Sequence, residues 1–193
     1  MEGTLTEVIL LLGCDWLPDL LEYDDMYPNL IAYDNAVHNI FKKDFIDNHP
    51  IFLGAKVAIR QNPLVDGREQ TYYHITSKDY DYTNNRNIDI RRCERIRWVK
   101  QIIEHYDCKI QTCFDCGGIK TWSYPHNKKQ TRIKIFFAEE RYIVILEKRP
   151  TYYLLITAYY VEYDHNVRKL LKEFEKAKSA SAETQLGTPS TFR

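Results

Sequence analysis

The chain has 193 residues, 44% of them hydrophobic, and carries 27 basic and 27 acidic residues. This length and apolar content are sufficient for one domain with its own core, and they exclude a chain that is disordered throughout. No stretch approaches the roughly 18 consecutive apolar residues of a membrane helix, and none has the pattern of a secretory leader, so we expect a soluble protein. Five cysteines at irregular spacing favour a reducing compartment, and the cytoplasm is the expected location.

The neutral total hides an uneven distribution of charge. Residues 1–35 hold eight acidic residues and no lysine or arginine, so the rest of the chain has 27 basic residues against 19 acidic ones. A basic body of this kind attracts polyanions such as nucleic acid. The acidic N-terminal segment is either a solvated leader or a cover that lies over a basic groove and limits access to it.

The first half of the chain predicts two helices and an extended hairpin. Apolar residues at helical spacing from Asp34 to Asp47 predict an amphipathic helix capped by Asp34 or Asn35. Ile51 to Arg60 and Glu69 to Thr76 are typical of strands, with a turn signal at Asp66-Gly67 between them. A second helix is predicted from about Asp89 to Tyr106.

The second half predicts a sheet followed by a helix. Its four strand-like runs are Ile119 to Tyr124, Thr131 to Phe137, Arg141 to Leu146 and Tyr152 to Val161. Asp164 to Lys178 predicts a closing amphipathic helix, and residues 179–193 are expected to be a disordered tail. We therefore predict an α+β fold for residues 36–178, with an antiparallel β-sheet packed against N-terminal, central and C-terminal helices.

Basic residues are concentrated between positions 86 and 100, where six of them accompany two acidic residues. On a helix that starts at Asp89, Arg91, Arg95 and Trp98 share one face, which would present positive charge beside a ring for stacking. Arginine binds phosphate through paired hydrogen bonds and stays charged when partly buried. The cluster indicates a phosphate or nucleic-acid site, and a solvated helix with internal pairing is the alternative. The basic residues are Arg86, Arg91, Arg92, Arg95, Arg97 and Lys100.

Three further side chains are candidates for the chemistry. His74, in the run TYYHITS, could act as a general acid or base, because imidazole changes protonation near neutral pH. In the strand YYLLITAYYV, Thr157 and Tyr159 share a face and could donate hydrogen bonds to a phosphate. Each also has a structural interpretation, since histidine often serves as a hydrogen-bonding residue and Thr and Tyr are common in strands.

The phrase CFDCGG, with Cys113 and Cys116 at the spacing of half a zinc knuckle, leaves metal binding open. A second Cys-x-x-Cys is absent from the sequence, so a reduced hairpin turn is the other interpretation and we assign no metal ligand. No Gly-rich phosphate loop, acidic metal triad or nucleophile elbow is present either. These absences argue against nucleotide hydrolysis and metal-dependent nuclease chemistry, and we expect no cofactor.

The phrases YYHITS, RNIDIRRCERIRW and TAYY, with the basic helix after them, resemble a family of small uncharacterised bacterial, phage and plasmid proteins. More loosely, the layout is similar to the barnase, EndoU, colicin and RelE-like superfamily of metal-independent RNases. The resemblance spans roughly residues 37–176 and leaves the acidic segment and CFDCGG unmatched. It implies a RelE- or barnase-like fold in which the motif positions are occupied by His74, Arg91, Arg92, Arg95, Thr157 and Tyr159.

The resemblance further implies an endoribonuclease that cleaves by attack of the ribose 2′-hydroxyl, as a growth-arresting toxin or a phage-defence effector acting on mRNA or tRNA. His74 would exchange protons, and Arg92 and Arg95 would hold the phosphorane. Thr157 or Tyr159 would orient the phosphate or the leaving oxygen. Arg86 and Arg91 would bind substrate, and Trp98 would stack an unpaired base. RNA is the expected partner, and whether an antitoxin or another partner protein also binds stays open. The alternatives are a non-catalytic RNA- or protein-binding module and, less favoured, an ADP-ribosyltransferase-like toxin.

Overall fold

The fold is known from a computed structural model that describes residues 14–78, 87–108 and 117–186, with side chains described as far as residue 180. Within these residues the chain forms an α+β fold, which confirms the predicted class. The helices are α1 (Leu30–Lys42), α2 (Gln70–Thr76), α3 (Ile90–Glu94), α4 (Ile96–Glu104) and α5 (Asp164–Leu186), and Lys43–Asp47 continues α1 as a π-helical turn. The strands are β1 (Ile51–Phe52), β2 (Ala55–Ala58), β3 (Ser77–Lys78), β4 (Asn87–Ile88), β5 (Ile119–Asn127), β6 (Gln130–Phe137), β7 (Tyr142–Lys148) and β8 (Tyr153–Tyr160).

The main sheet has the strand order β1-β2-β8-β7-β6-β5. β5 to β8 form the antiparallel series that the four strand-like runs predict. The predicted antiparallel sheet is joined on one side by a parallel strand, because β2 pairs parallel to β8 through Val57 and Ala58, so the sheet is mixed. A parallel neighbour needs a long crossover, and the chain between β2 and β8 supplies one that contains α2, α3 and α4.

The sheet buries an apolar layer on each of its faces. On the first face, α4 packs against β6 and β7, and α1 packs on α4. Completely buried residues such as Phe41, Val99 and Tyr142 belong to this core. On the second face, α5 crosses the sheet and buries Ile143 and Leu170. Full burial of one such side chain stabilises the folded state by roughly 1.5–3 kcal/mol. Because apolar residues are buried on both faces of the sheet, β8 is held between the two layers.

α1 begins earlier than predicted because Asn29 caps it, accepting a hydrogen bond from a main-chain N–H at 2.9 Å. The predicted cap residues, Asp34 and Asn35, lie inside the helix and accept hydrogen bonds from Arg68. Tyr72 also donates to the Asp34 carboxylate, at 2.7 Å. Asp34 therefore connects α1 to the start of α2, a role that depends on the tertiary fold.

Residues 70–76 form helix α2, so the prediction of a strand from Glu69 to Thr76 is wrong. Tyr72 and Ile75, three positions apart, are both completely buried, and the Thr76 hydroxyl donates to the Tyr72 carbonyl at 2.7 Å. In a short run that is buried on nearly every side, periodicity does not separate a strand from a helix. His74 consequently lies on a helix and does not alternate with Tyr72 and Thr76.

The single helix predicted from Asp89 to Tyr106 is divided at Arg95, whose backbone departs from helical values with φ −98° and ψ 16°. Asp89 caps α3 as its type predicts. The division changes which residues share a face, and Trp98 turns into the core with 5% of its surface exposed. Its indole Nε1 donates to the Pro18 carbonyl at 2.7 Å.

The described part of the acidic segment packs against α3 and α4. Besides the bond from Trp98 to Pro18, the Leu21 N–H donates to the Glu94 carbonyl at 2.8 Å, and Tyr33 donates to the Leu21 carbonyl at 2.7 Å. These contacts are on the side of the first core layer. Residues 1–13 lie outside the described residues, and the proposed cover over a basic groove stays a prediction.

At the other end, α5 continues to Leu186, eight residues past the predicted end at Lys178. The part of the predicted disordered tail that spans residues 179–186 is therefore helical, and residues 187–193 lie outside the described part of the chain. No helix within the described residues combines the length and the apolar character that a membrane crossing requires.

The Tyr142 hydroxyl is completely buried and has no hydrogen-bond partner among the residues that the structure describes. We expect Tyr142→Phe to raise the free energy of unfolding by about 1 kcal/mol, because it removes a desolvated polar group and keeps the ring. The matched control is Tyr33→Phe, which deletes a buried hydroxyl that does have an acceptor and should cost about 1 kcal/mol. Urea unfolding measures both, and a loss of stability in Tyr142→Phe equal to that in the control would contradict the prediction.

Candidate functional site

The candidate site lies along the edge of β8 where β2 stops pairing. β2 reaches only Tyr153 and Leu154, and helices α2 and α3 pack along the rest of the strand. The Thr157 hydroxyl donates to the main-chain carbonyl of His74 at 2.9 Å. This bond ties the middle of β8 to the helix that carries the candidate histidine.

Arg92 reaches the same carbonyl from α3. Its Nη1 donates to the His74 carbonyl at 3.1 Å, and its Nε lies 3.4 Å from the Asp89 carboxylate. The guanidinium carbon lies 5.4 Å from the centroid of the Tyr159 ring, within the range of a cation–π contact. The structure thus brings together four of the five predicted catalytic residues, His74, Arg92, Thr157 and Tyr159, from three separate elements.

The His74 side chain is half-buried, and its pKa lies below the ordinary value of 6.5. Burial is the largest cause, followed by the positive charges of Arg60 and then Arg92, which disfavour a second cation beside them. The imidazole is therefore neutral at pH 7 and can accept a proton. Arg60, which follows β2 and is exposed, is not among the predicted site residues.

Tyr159 is half-buried as well, and burial raises the pKa of its phenol, although the charge of Arg92 partly opposes that shift. The phenol is protonated at neutral pH and is a hydrogen-bond donor. Arg92 therefore contributes to the electrostatic surroundings of both a neutral imidazole and a protonated phenol, and groups of these two kinds can take up and release protons.

The remaining predicted residues lie elsewhere. Arg95 extends over the rings of Tyr160 and Trp98, 5.0 Å from each centroid, and its Nη1 donates to the carbonyl of Arg91. Arg91 is largely exposed and lies 3.4 Å from the carboxylate of Glu162. The structure does not join either arginine to the group around His74.

Trp98 is the clearest correction in the site. A ring that is 5% exposed and packed edge-on against Tyr142 offers no surface for an unpaired base, so its predicted stacking role is wrong. Arg86, the other residue predicted to bind substrate, lies outside the described residues, as do Cys113 and Cys116. Among the residues that are described, no three His, Cys, Asp or Glu side chains form a group suited to a metal ion.

A basic group on the second face of the sheet is absent from the predicted site residues. Glu147 on β7 is 1% exposed, and its carboxylate lies 3.2 Å from Arg132 Nε and 2.5 Å from Arg149 Nη2. Lys134 lies two positions along β6 from Arg132, on the same face. Lys134 pairs with Ile145 of β7, and Ile145 pairs with Thr157 of β8. The sequence indicates this group, because the run TRIKIFF alternates basic with apolar residues at the period of a strand.

Comparison with known proteins adds no assignment, since no protein-family model, curated protein or solved structure matches the chain.

Proposed function

We propose that this chain is a metal-independent endoribonuclease. The observation that carries the proposal is the convergence of Arg92 and Thr157 on the main-chain carbonyl of His74, with Arg92 also over the Tyr159 ring at the same strand edge. The lowered pKa of the His74 imidazole, to which Arg60 and Arg92 contribute, supports it. Proton transfer and stabilisation of a negatively charged phosphorane are the two requirements of RNA cleavage without a metal. This group of residues supplies both.

In the proposed reaction, His74 takes the proton of a ribose 2′-hydroxyl, and the 2′-oxygen bonds to the adjacent phosphorus. The bond from phosphorus to the 5′-oxygen of the next nucleotide breaks, which leaves a 2′,3′-cyclic phosphate. The protonated phenol of Tyr159 gives its proton to the departing 5′-oxygen and recovers one from solvent. Arg60 and Arg92 stabilise the phosphorane, an effect of about 3–4 kcal/mol for a preorganised donor.

Thr157 takes a positioning role in this scheme. Its hydroxyl donates to the His74 carbonyl and not toward solvent, so it fixes the α2 backbone against β8. We further propose that the substrate is mRNA or tRNA in the cytoplasm and that the protein acts as a growth-arresting toxin or phage-defence effector with a partner that restrains it. The basic excess outside residues 1–35 supports a polyanionic substrate.

A non-catalytic RNA-binding module is the second candidate, and one observation favours it. Arg92 and Thr157 both donate to a main-chain oxygen, which orders the strand edge whether or not any bond is cleaved. In that case the basic residues would give affinity alone.

One incubation separates the two functions. Purified protein with total RNA and EDTA should release fragments that end in a 2′,3′-cyclic phosphate and begin with a 5′-hydroxyl. RNA that is bound in a gel-shift assay yet stays intact under these conditions would support the binding module and reject the nuclease.

A further inference from the structure

A depression of about 360 Å³ lies where the end of β8 meets the first turns of α5, and it shares Tyr159 with the candidate site. Its volume is near the lower end of the range for small-molecule sites. The residues that matter for its chemistry are Lys134, Tyr159, Tyr163, Asn166, Lys169 and Glu173.

Aromatic rings line part of the depression. Tyr159 comes from β8 and Tyr163 from the turn before α5. Tyr163 is 58% exposed, and its ring is held by stacking on His165 at a centroid separation of 5.6 Å. A planar aromatic ligand gains most from such walls, because stacking on an aromatic side chain does not depend on the identity of the base.

The charges in the depression are largely paired. Glu173 lies 2.5 Å from Lys134, and Glu162 lies 3.4 Å from Arg91. Lys169 adds a positive charge at the rim. A lining with balanced charges attracts a phosphate group only weakly and does not repel a neutral ring. It therefore fits a nucleobase better than a phosphate group.

Asn166 contributes a side-chain amide to the depression. It lies in the first turn of α5, where its N–H donates to the Tyr163 carbonyl at 2.9 Å. Its exposed side-chain amide both donates and accepts hydrogen bonds. A side-chain amide is the group that reads the edge of a base through two hydrogen bonds.

Tyr159 connects this depression to the candidate site, because Arg92 lies over its ring at 5.4 Å. We propose that the depression binds the unpaired base next to the scissile phosphate, with Asn166 as the residue that determines which base is accepted. This inference rests on the proposed nuclease function for its place beside a scissile bond, but the binding of a base there can be tested without cleavage.

The experiment titrates the full chain with the four ribonucleoside 3′-monophosphates and with ribose 5-phosphate, which has the sugar and phosphate but no base. Isothermal calorimetry should give at least one nucleotide that binds roughly tenfold more tightly than ribose 5-phosphate. Asn166→Ala should remove about tenfold of that affinity, the size of one paired hydrogen-bond contact to a base. Asn166→Asp, which replaces the amide donor by an acceptor, should change which nucleotide binds best.

Lys172→Ala is the matched control, because Lys172 is an exposed residue of α5 outside the depression. It should stay within about twofold of the parent chain, which separates base recognition from general loss of positive charge. Equal affinity for nucleotides and ribose 5-phosphate, or no change in Asn166→Ala, would overturn the inference. Base-dependent nucleotide binding without RNA cleavage would reject the nuclease but support the base-binding site. RNA cleavage that Asn166→Ala does not affect would support the nuclease but reject the base-binding site.

Discussion

Replacement of His74 with alanine is expected to slow RNA cleavage by roughly 10²–10⁴-fold, the usual contribution of a general base, and to leave RNA affinity within a few-fold. The imidazole is the group that takes the 2′-hydroxyl proton in the proposed reaction, whereas affinity depends on the basic residues around it. Single-turnover cleavage of a labelled RNA and a filter-binding titration measure the two quantities separately.

The variant should fold, because the hydrogen bonds from Arg92 and Thr157 go to the main-chain carbonyl of residue 74 and do not need the imidazole. His126→Ala, at an exposed position on β5, is the matched control and should cleave at the parent rate. If His74→Ala cleaves as fast as His126→Ala, the proposed assignment of the general base is wrong.

The same assignment fixes the sign of the pH dependence. Because the folded-state pKa of His74 lies below 6.5, the imidazole is in its basic form at neutral pH, and cleavage should fall as the pH drops through that lowered value. Stability should fall in the same direction. The unfolded chain binds a proton at this residue from about pH 6.5 downward, before the folded chain does, so acid favours unfolding. When the cleavage rate of His74→Ala is measured against pH, the fall at low pH that protonation of His74 causes should be absent.

The sequence predicts well those elements whose hydrophobic pattern fits one period. In β5 to β8, apolar residues alternate with polar ones or form continuous runs between clear breaks. In α5, apolar residues repeat at helical spacing. It fails at α2, because a run that includes Tyr72 and Ile75 is buried on nearly all sides and fits two periods. The break at Arg95 is invisible for another reason, since it has neither Gly nor Pro to mark it.

For the site, the sequence identifies residues by chemistry but not by direction. His74, Arg92, Thr157 and Tyr159 do converge, yet Thr157 and Arg92 direct hydrogen bonds to a main-chain oxygen that no residue pattern predicts. Trp98 is misassigned because a helix drawn without the break at Arg95 points it outward. The influence of Arg60 on His74 depends on where β2 ends beside β8, which is set by tertiary contacts alone.

The basic group on the second sheet face gives the largest expected effect on stability. Glu147→Gln should lower the free energy of unfolding by about 3 kcal/mol, because it leaves the guanidinium groups of Arg132 and Arg149 without their buried carboxylate. This value is at the lower end of the range for a broken buried pair. The two arginines are 21% and 32% exposed, so water can partly replace the lost partner.

Glu173→Gln is the matched control for this variant, since Glu173 also pairs with a cation on β6 but is 36% exposed. An exposed pair contributes about 0–1 kcal/mol, so its loss should be small. Both variants delete one negative charge from a pair that involves β6. Urea unfolding of the two therefore separates the effect of burying the carboxylate from the effect of removing its charge. Equal midpoints for the two variants would mean that Glu147 is solvated and that Arg132 and Arg149 are not held in place by it. A large difference would establish that the buried carboxylate of Glu147 holds both arginines in place on this face of the sheet.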